Sequence, residues 1–345
     1  MNGLVNLCSL LKAQWKSRAE IEDLQNKKLR HLVRHAYNNV AYYRRLFDSA
    51  GIKPEDIGGT RDLSKIPLTS KNELQRLPLS EITASGIDLS RCIKSRTSGA
   101  TGKPLEIVSS SADRSIMNPS FIRAYLAWGL KPWNRLAFFQ ARKEQLEKKS
   151  WYEYLQILPR QNLSVWESGE KWMDQIRNWQ PQLLQGYILT MKLLADAARK
   201  NASGQLRIPM IVNTSGTLDD HGREMLRSVF QAQVIDIYAS EEAGSVIAWE
   251  CPVCSEYHIN SDTVILEILK DGTPAGPDEE GEVVLTNLYN YTMPFIRYRQ
   301  EDMGVFSARE PLCGRGLPLM KEIKGRSGDF VAEHADRTTG RDDST

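Results

Sequence analysis

RIPMIVN at 207–213, DDHGREMLRSVFQ at 219–231 and QVIDIYAS at 233–240 set two apolar, β-prone runs on either side of a helical pattern. Strand, helix, strand, with each strand running out into small polar residues, is how an α/β sheet presents a site at the carboxyl edge of its strands. Upstream, GYILTMKLLADAARK (186–200) reads as an amphipathic helix after a Gly-Tyr turn, and residues 112–129 and 167–179 also carry helical spacing. Residues 20–50 place Leu24, Leu29, Leu32, Val33, Ala36, Val40 and Tyr43 at helical spacing, with Gly51 as a stop. LTSKNELQRL begins another helix, with Ser70 and Glu73 spaced as in a capping box. After residue 255 the pattern changes: YHINSDTVILEILKDG, GEVVLTNL and MPFIRYR alternate apolar and polar residues between Gly and Pro turns, which predicts an antiparallel sheet or small barrel. The expected architecture is therefore an α/β fold with mixed sheets flanked by helices and a small β-barrel-like subdomain. Its divisions are a helical layer over 1–90, an α/β core over 91–250, a β subdomain over 251–325 and a frayed tail over 326–345.

The chain of 345 residues, 41% of them hydrophobic, is long enough to bury a large core. Its 45 basic and 43 acidic residues leave a formal charge of +2, and no basic stripe tracks a phosphate backbone, so nucleic acid is not an expected partner. The first helix, with Leu4, Leu7, Leu10, Leu11 and Trp15, is amphipathic and too short in apolar run for a signal or a membrane span. It is read as packing on the body, with contact to a lipid surface as the alternative. Five cysteines, an odd number with one C-x-x-C pair and no secretory leader, predict a reducing cytoplasm.

Between two strand-like runs, residues 92–108, lies Thr97-Ser98-Gly99-Ala100-Thr101-Gly102-Lys103-Pro104. Glycines let backbone N–H groups turn toward an anion, hydroxyls add donors and lysine adds a point charge, so a polyphosphate fits. A surface turn that holds nothing has the same local composition. A Walker loop is excluded, because only two residues separate Gly99 from Gly102 and proline follows Lys103. Cys251-x-x-Cys254-x-x-x-His258, with Cys313 farther on, supplies four soft or borderline donors, the number that closes a tetrahedral structural zinc site. Idle buried thiols beside a core histidine are the alternative.

The glycine loop resembles the phosphate-binding motif of the adenylate-forming (ANL) superfamily, [ST]-S-G-[ST]-T-G-K-P, with Ala100 in place of one hydroxyl. Further likenesses follow in order. Thr214-Ser215-Gly216 resembles S-G-E, Tyr238-Ala239-Ser240-Glu241-Glu242 resembles Y-G-x-T-E, Arg297 to Asp302 resembles R-Y-R-x-G-D, and Gly325 to Asp329 resembles the G-R-x-D-D hinge. Within the superfamily, LVRHAYNNVAYYRRLFDSAGI, IPLTSKNEL, GYILTMKLLADAA and the EC-x-x-C-x-x-x-H-I-N stretch are similar to the phenylacetate–CoA ligase and capsule-biosynthesis (CapK-like) branch.

This resemblance implies an ANL-type N-terminal body that activates a small carboxylic acid with ATP and Mg²⁺, forming an acyl-adenylate and pyrophosphate before transfer to CoA or another acceptor. It implies that Ser98, Gly99, Thr101, Gly102 and Lys103 hold the β- and γ-phosphates, with Lys103 catalytic. Tyr238 would stack on adenine, with Ser215, Gly216, Ala239, Ser240 and Glu241 beside the nucleotide, and Asp302 would take the ribose hydroxyls. Glu242 would be the catalytic acidic residue near Mg²⁺ and the α-phosphate. Arg297 and Arg326 would face the nucleotide or interdomain cleft, and Tyr187, Gly216 and Ala239 would line the acyl pocket. The branch often carries similar Cys and His residues, which supports structural zinc on Cys251, Cys254, His258 and Cys313. Family enzymes continue into a C-terminal domain with a further lysine, whereas this sequence ends at Thr345, soon after the hinge-like motif. A separate domain or carrier protein is thus an expected partner. The alternative expectation is a catalytically incomplete ATP-binding or scaffold protein, in polysaccharide biosynthesis for example. Glu301 in place of glycine before Asp302 and Gly328 in place of the first hinge aspartate are departures from the pattern.

Overall fold

The computed structural model describes residues 2–97, 104–147, 149–201 and 205–325. Helices α1 (Asn2–Ala13), α2 (Arg18–Asn39) and α3 (Ala41–Ser49) come first, then the one-turn helices α4 (Lys71–Leu74) and α5 (Leu79–Ile82). A hairpin of β1 (Ile93–Arg96) and β2 (Glu106–Ser109) leads to α6 (Met117–Ala127). An alternating run follows: β3 (Leu136–Gln140), α7 (Trp151–Tyr154), β4 (Arg160–Ser164), α8 (Gly169–Trp179), β5 (Leu183–Gly186), α9 (Ile188–Lys200), β6 (Met210–Asn213), α10 (Asp220–Phe230) and β7 (Gln233–Ser240). The chain then turns to strands alone: β8 (Ser245–Glu250), β9 (Tyr257–Ile259), β10 (Val264–Lys270), β11 (Thr273–Pro274), β12 (Glu280–Asn287), β13 (Tyr298–Phe306) and β14 (Leu319–Lys324).

Two compact units emerge, one of residues 1–123 with 239–345 and one of residues 124–238. Helices from the first 90 residues and strands after 251 therefore share a unit rather than forming successive domains. The reason is a common core: Leu29, Leu32, Val33 and Ala36 of α2 and Tyr43 and Phe47 of α3 are buried with Ile107, Phe295, Ile296 and Tyr298. The helix α2 starts where Ser17 and Glu20 form a capping box, which satisfies two otherwise orphaned N–H groups. One continuous pattern over 20–50 becomes two helices because Val40, in extended conformation, ends α2 and starts α3. In this unit the strands pair antiparallel in the order β11-β10-β12-β13-β14-β9-β8. MPFIRYR is not one strand: Pro294 breaks the ladder, Arg297 sits at φ 48°, and β13 starts only at Tyr298.

The second unit is a parallel sheet in the order β4-β3-β5-β6-β7. Its cover includes Trp172 and Ile176 of α8, Leu194 of α9 and Leu226 and Phe230 of α10, packed with Phe139, Leu184 and Ile211 of the strands. Strand–helix–strand at 207–240 is seen as expected. Phe139 stands edge-on to Trp172 with centroids 5.1 Å apart, and a Cβ at Gly186 would come within 2.7 Å of the Phe139 ring. Glycine at the end of β5 is therefore a packing requirement.

Candidate nucleotide and metal sites

Ser98, Gly99, Thr101, Gly102 and Lys103 of the glycine loop, and Arg326 of the hinge-like motif, lie outside the described residues. The frame of the loop is described. Antiparallel pairing runs from Ile93 opposite Ser109 to Arg96 opposite Glu106. Beyond it Thr97 N donates to Leu105 O at 3.1 Å and the Thr97 hydroxyl accepts from Leu105 N at 3.0 Å. The buried Thr97 thus extends the hairpin pairing by one residue on each strand, as far as Leu105.

In the same unit, Glu242 follows β7 in a turn and is only 4% exposed. Its Oε1 accepts from the Tyr298 hydroxyl at 3.3 Å. Its carbonyl and that of Ala243 both accept from Asn287 Nδ2 at 2.8 Å. Ser240 Oγ accepts from Ala243 N at 3.1 Å, and Gly244 at φ 58° completes the turn. Ala239, Ser240 and Glu241 are half-buried. Glu241 pairs with Arg114 Nη2 at 3.1 Å, while Arg114 Nε is buried without an acceptor among the described residues.

Asp302 is half-buried in β13 at an irregularity. Glu282 pairs with Met303 and Val284 with Arg299, so Gln300, Glu301 and Asp302 together oppose Val283. This bulge re-aims the strand. Glu301 within it has φ 64°, which explains why the resembling motif has glycine at this position.

Arg297 departs from expectation. Its guanidinium is held by Glu267 at 2.8 Å (Nη2) and by the Ile66 carbonyl at 2.6 Å (Nη1). It is buried and committed to joining β10, β13 and the turn before Thr69, not turned to a nucleotide.

In the parallel unit the remaining residues gather on the carboxyl edge. Gly186 ends β5 and the half-buried Tyr187 caps α9. Exposed Ser215 and Gly216 lie in the loop after β6, and half-buried Tyr238 lies near the end of β7. Asn213 Nδ2 donates to Gly216 O at 2.9 Å and to Asp236 Oδ1 at 2.7 Å, and Thr214 N donates to Gly186 O at 3.1 Å. Gly216 has φ 79°, and a Cβ there would meet Ile188 at 2.8 Å. The loop is thus fixed while its polar edge stays open, as the edge of a doubly wound sheet does for ligands.

The donor atoms of Cys251, Cys254, His258 and Cys313 all lie within 4.8 Å of one another. Cys251 and Cys254 sit in the turn after β8, His258 is on β9, and Leu319 of β14 pairs with His258. His258 Nδ1 faces the Leu317 carbonyl at 3.1 Å and Nε2 faces Cys313 Sγ at 3.1 Å. A proton on Nδ1 leaves Nε2 as the ligand atom, the usual outer-sphere arrangement of a metal-binding histidine. Burial pushes the His258 pKa down to about 4, so the ring stays neutral. Burial also pushes the Cys251 thiol up to about 12. At Cys313 burial acts upward too, but hydrogen bonds from Arg315, Cys254 and Cys251 outweigh it and lower the thiol. Zn–S bonds of about 2.3 Å would put tetrahedral donors about 3.8 Å apart, which this cluster accommodates.

Sequence reasoning missed Arg114, Asn287 and the hydroxyl of Tyr298 as neighbours of the acidic turn. Arg114 carries no motif, and only the fold brings it to Glu241.

No protein-family model matches the chain. A phenylacetate-coenzyme A ligase of Escherichia coli is 29% identical over 332 residues, covering 90% of this chain and 72% of the relative. One from Aromatoleum evansii is 27% identical over 344 residues, with 91% and 72% covered. Among solved structures, an open conformation of 2-hydroxyisobutyryl-CoA ligase in complex with 2-HIB-AMP and CoA matches with a TM-score of 0.79 at 18% identity, over 91% of this chain and 77% of that one. At that identity the structural match speaks for the fold.

Proposed function

The chain belongs to the adenylate-forming superfamily, in its phenylacetate–CoA ligase branch, and from this premise we propose that it activates a carboxylic acid with ATP, releasing pyrophosphate, and passes the acyl group to CoA. The observation that carries the reading is the placement of the motif residues. Glu242 and Asp302 of one unit are joined to the same strand, β13, through Tyr298 and the bulge, while Tyr187, Ser215, Gly216 and Tyr238 share the carboxyl edge of the parallel sheet.

In this reading the glycine loop, with Lys103, holds the leaving pyrophosphate, and its donors stabilise charge that grows as the phosphorus–oxygen bond breaks. Tyr238 stacks on adenine and the re-aimed Asp302 accepts from the ribose hydroxyls. Glu242, with Tyr298 orienting its carboxylate, is the residue to hold Mg²⁺, which when bound neutralises phosphate charge. Tyr187, Gly216 and Ala239 border the acyl group. Zn²⁺ on the Cys–His cluster would fasten β8, β9 and β14 and take no part in the reaction. Five free cysteines fit a reducing, cytoplasmic setting. Among the described residues no helix is long and apolar enough to cross a membrane.

The curated relatives extend beyond the aligned part, and we assign the family's adenylation-step lysine, and the movement that serves the thioester-forming step, to a C-terminal domain, tested by adding one in trans. Calorimetry with ATP and Mg²⁺ tests the nucleotide site: the native chain binds, and Lys103→Ala and Asp302→Ala each bind at least tenfold more weakly. A folded native chain that takes up no ATP would return the protein to the scaffold reading.

A further inference from the structure

Lys71 is 4% exposed, and its Nζ is buried with no hydrogen-bond acceptor among the described residues. Burying a charge without a counter-charge is strongly unfavourable. A fold that keeps one spends stability at that point, and perturbed or unpartnered ionisable groups concentrate where ligands bind.

The position of Lys71 is fixed by the chain on either side of it. Thr69 bridges in parallel to Tyr298: its N–H donates to Arg297 O and its carbonyl accepts from Arg299 N, both at 2.9 Å. The Thr69 hydroxyl donates to Ile296 O at 3.0 Å. Lys71 opens α4 two residues after Thr69, and Gln300 lies two residues after Tyr298. Gln300 is 3% exposed, and its Nε2 is a second buried donor without an acceptor. Two unsatisfied donors therefore each stand two residues beyond one bridge, Lys71 at the start of α4 and Gln300 on β13. That stretch of β13 begins with Tyr298, which bonds Glu242, and ends with Asp302. Glu301 lies between, and its Oε2 is likewise buried without a donor among the described residues.

We propose that Lys71, assisted by Gln300, is an anion-binding pair that receives an oxygen of the reacting carboxylate or of the phosphoryl group it attacks. This deepens the ligase reading and rests on it. In the adenylation step a carboxylate oxygen forms a bond to the α-phosphorus of ATP, and the bond from that phosphorus to the bridging oxygen breaks, its electron pair leaving with pyrophosphate. Carboxylate and triphosphate repel each other on approach. A buried ammonium offsets that repulsion most strongly where water is excluded. Carboxylate and phosphoryl oxygens offer the same chemistry to Lys71, and the ligands below separate them.

The test compares the native chain with Lys71→Met and Gln300→Leu, using calorimetry with Mg²⁺–ATP, adenosine and phenylacetate, and melting temperature without ligand. Lys71→Met is expected to melt at or above the native temperature, because an unpaired charge has been removed. A loss of at least tenfold for ATP with adenosine unchanged assigns the phosphoryl oxygen; the same loss for phenylacetate with ATP unchanged assigns the carboxylate. A folded Lys71→Met chain that binds ATP and phenylacetate as the native chain does overturns the proposal. So does a Lys71→Met chain that fails to fold while Gln300→Leu binds every ligand normally. If the native chain binds neither ATP nor phenylacetate, the ligase reading falls by itself. Inorganic pyrophosphate then decides the anion site: a native melting shift that Lys71→Met lacks supports it, and equal shifts overturn it.

Discussion

The cysteine–histidine cluster and the bulged stretch of β13 are both polar sites in the same unit, yet they treat their polar groups in opposite ways. In the cluster the four donor groups face one another, His258 is oriented by Leu317, and Leu319 packs against the cysteines. On β13 and at the Thr69 bridge beside it, Gln300 Nε2, Glu301 Oε2 and, two residues past Thr69, Lys71 Nζ are all buried without a hydrogen-bond partner among the described residues. A closed set of ligands contributes to folding, whereas unsatisfied groups cost stability that binding can repay. In the proposals above, one region holds the fold and the other receives a ligand.

The largest effect should come from the closed site. Cys251→Ser is expected to lose one equivalent of zinc by mass spectrometry and to lower unfolding free energy by about 4 kcal/mol, the scale of losing a structural metal. An unchanged metal content and denaturation midpoint would make the cluster a set of idle thiols. Next, Glu242→Gln should leave the fold intact and slow acid-dependent pyrophosphate exchange by about 100-fold, the magnitude for one preorganised electrostatic group. Asp302→Ala should weaken ATP by about 2 kcal/mol, as for a hydrogen bond to a charged acceptor, measured by calorimetry. The smallest effect sharpens the contrast: Glu301→Gly should raise stability by about 1 kcal/mol in urea denaturation, since φ 64° suits glycine. A loss of stability there would mean that the buried carboxylate is anchored.

Much of this was legible because the informative residues are close in sequence. The spacing of Cys251, Cys254 and His258 predicts a cluster that the fold brings together with Cys313, whereas residues 98–103 of the loop, whose composition suggests an anion, lie outside the described residues. The strand–helix–strand at 207–240 survives intact because its apolar runs are long. β4, RQNLS, and β5, LLQG, carry no clear strand signal in sequence, since parallel strands between helices need no alternation and these are short. Arg297 was misread because its motif neighbours suggest a ligand, while the carboxylate that claims it, Glu267, is on another strand. Lys71 reads in sequence only as part of a helix start. The bridge between Thr69 and Tyr298, two residues before it, is one that no local pattern encodes. The strain at Glu301 was visible as a departure from a motif, and its cause, a bulge opposite Val283, only in the fold.

The account's central claim is acid activation, and the exchange of labelled pyrophosphate into ATP measures it most directly. With a panel of small carboxylic acids that includes phenylacetate, and with a C-terminal ligase domain added in trans, the account predicts exchange that requires the acid and Mg²⁺ and is abolished by Lys103→Ala. Folded protein that catalyses no acid-dependent exchange under these conditions would contradict it.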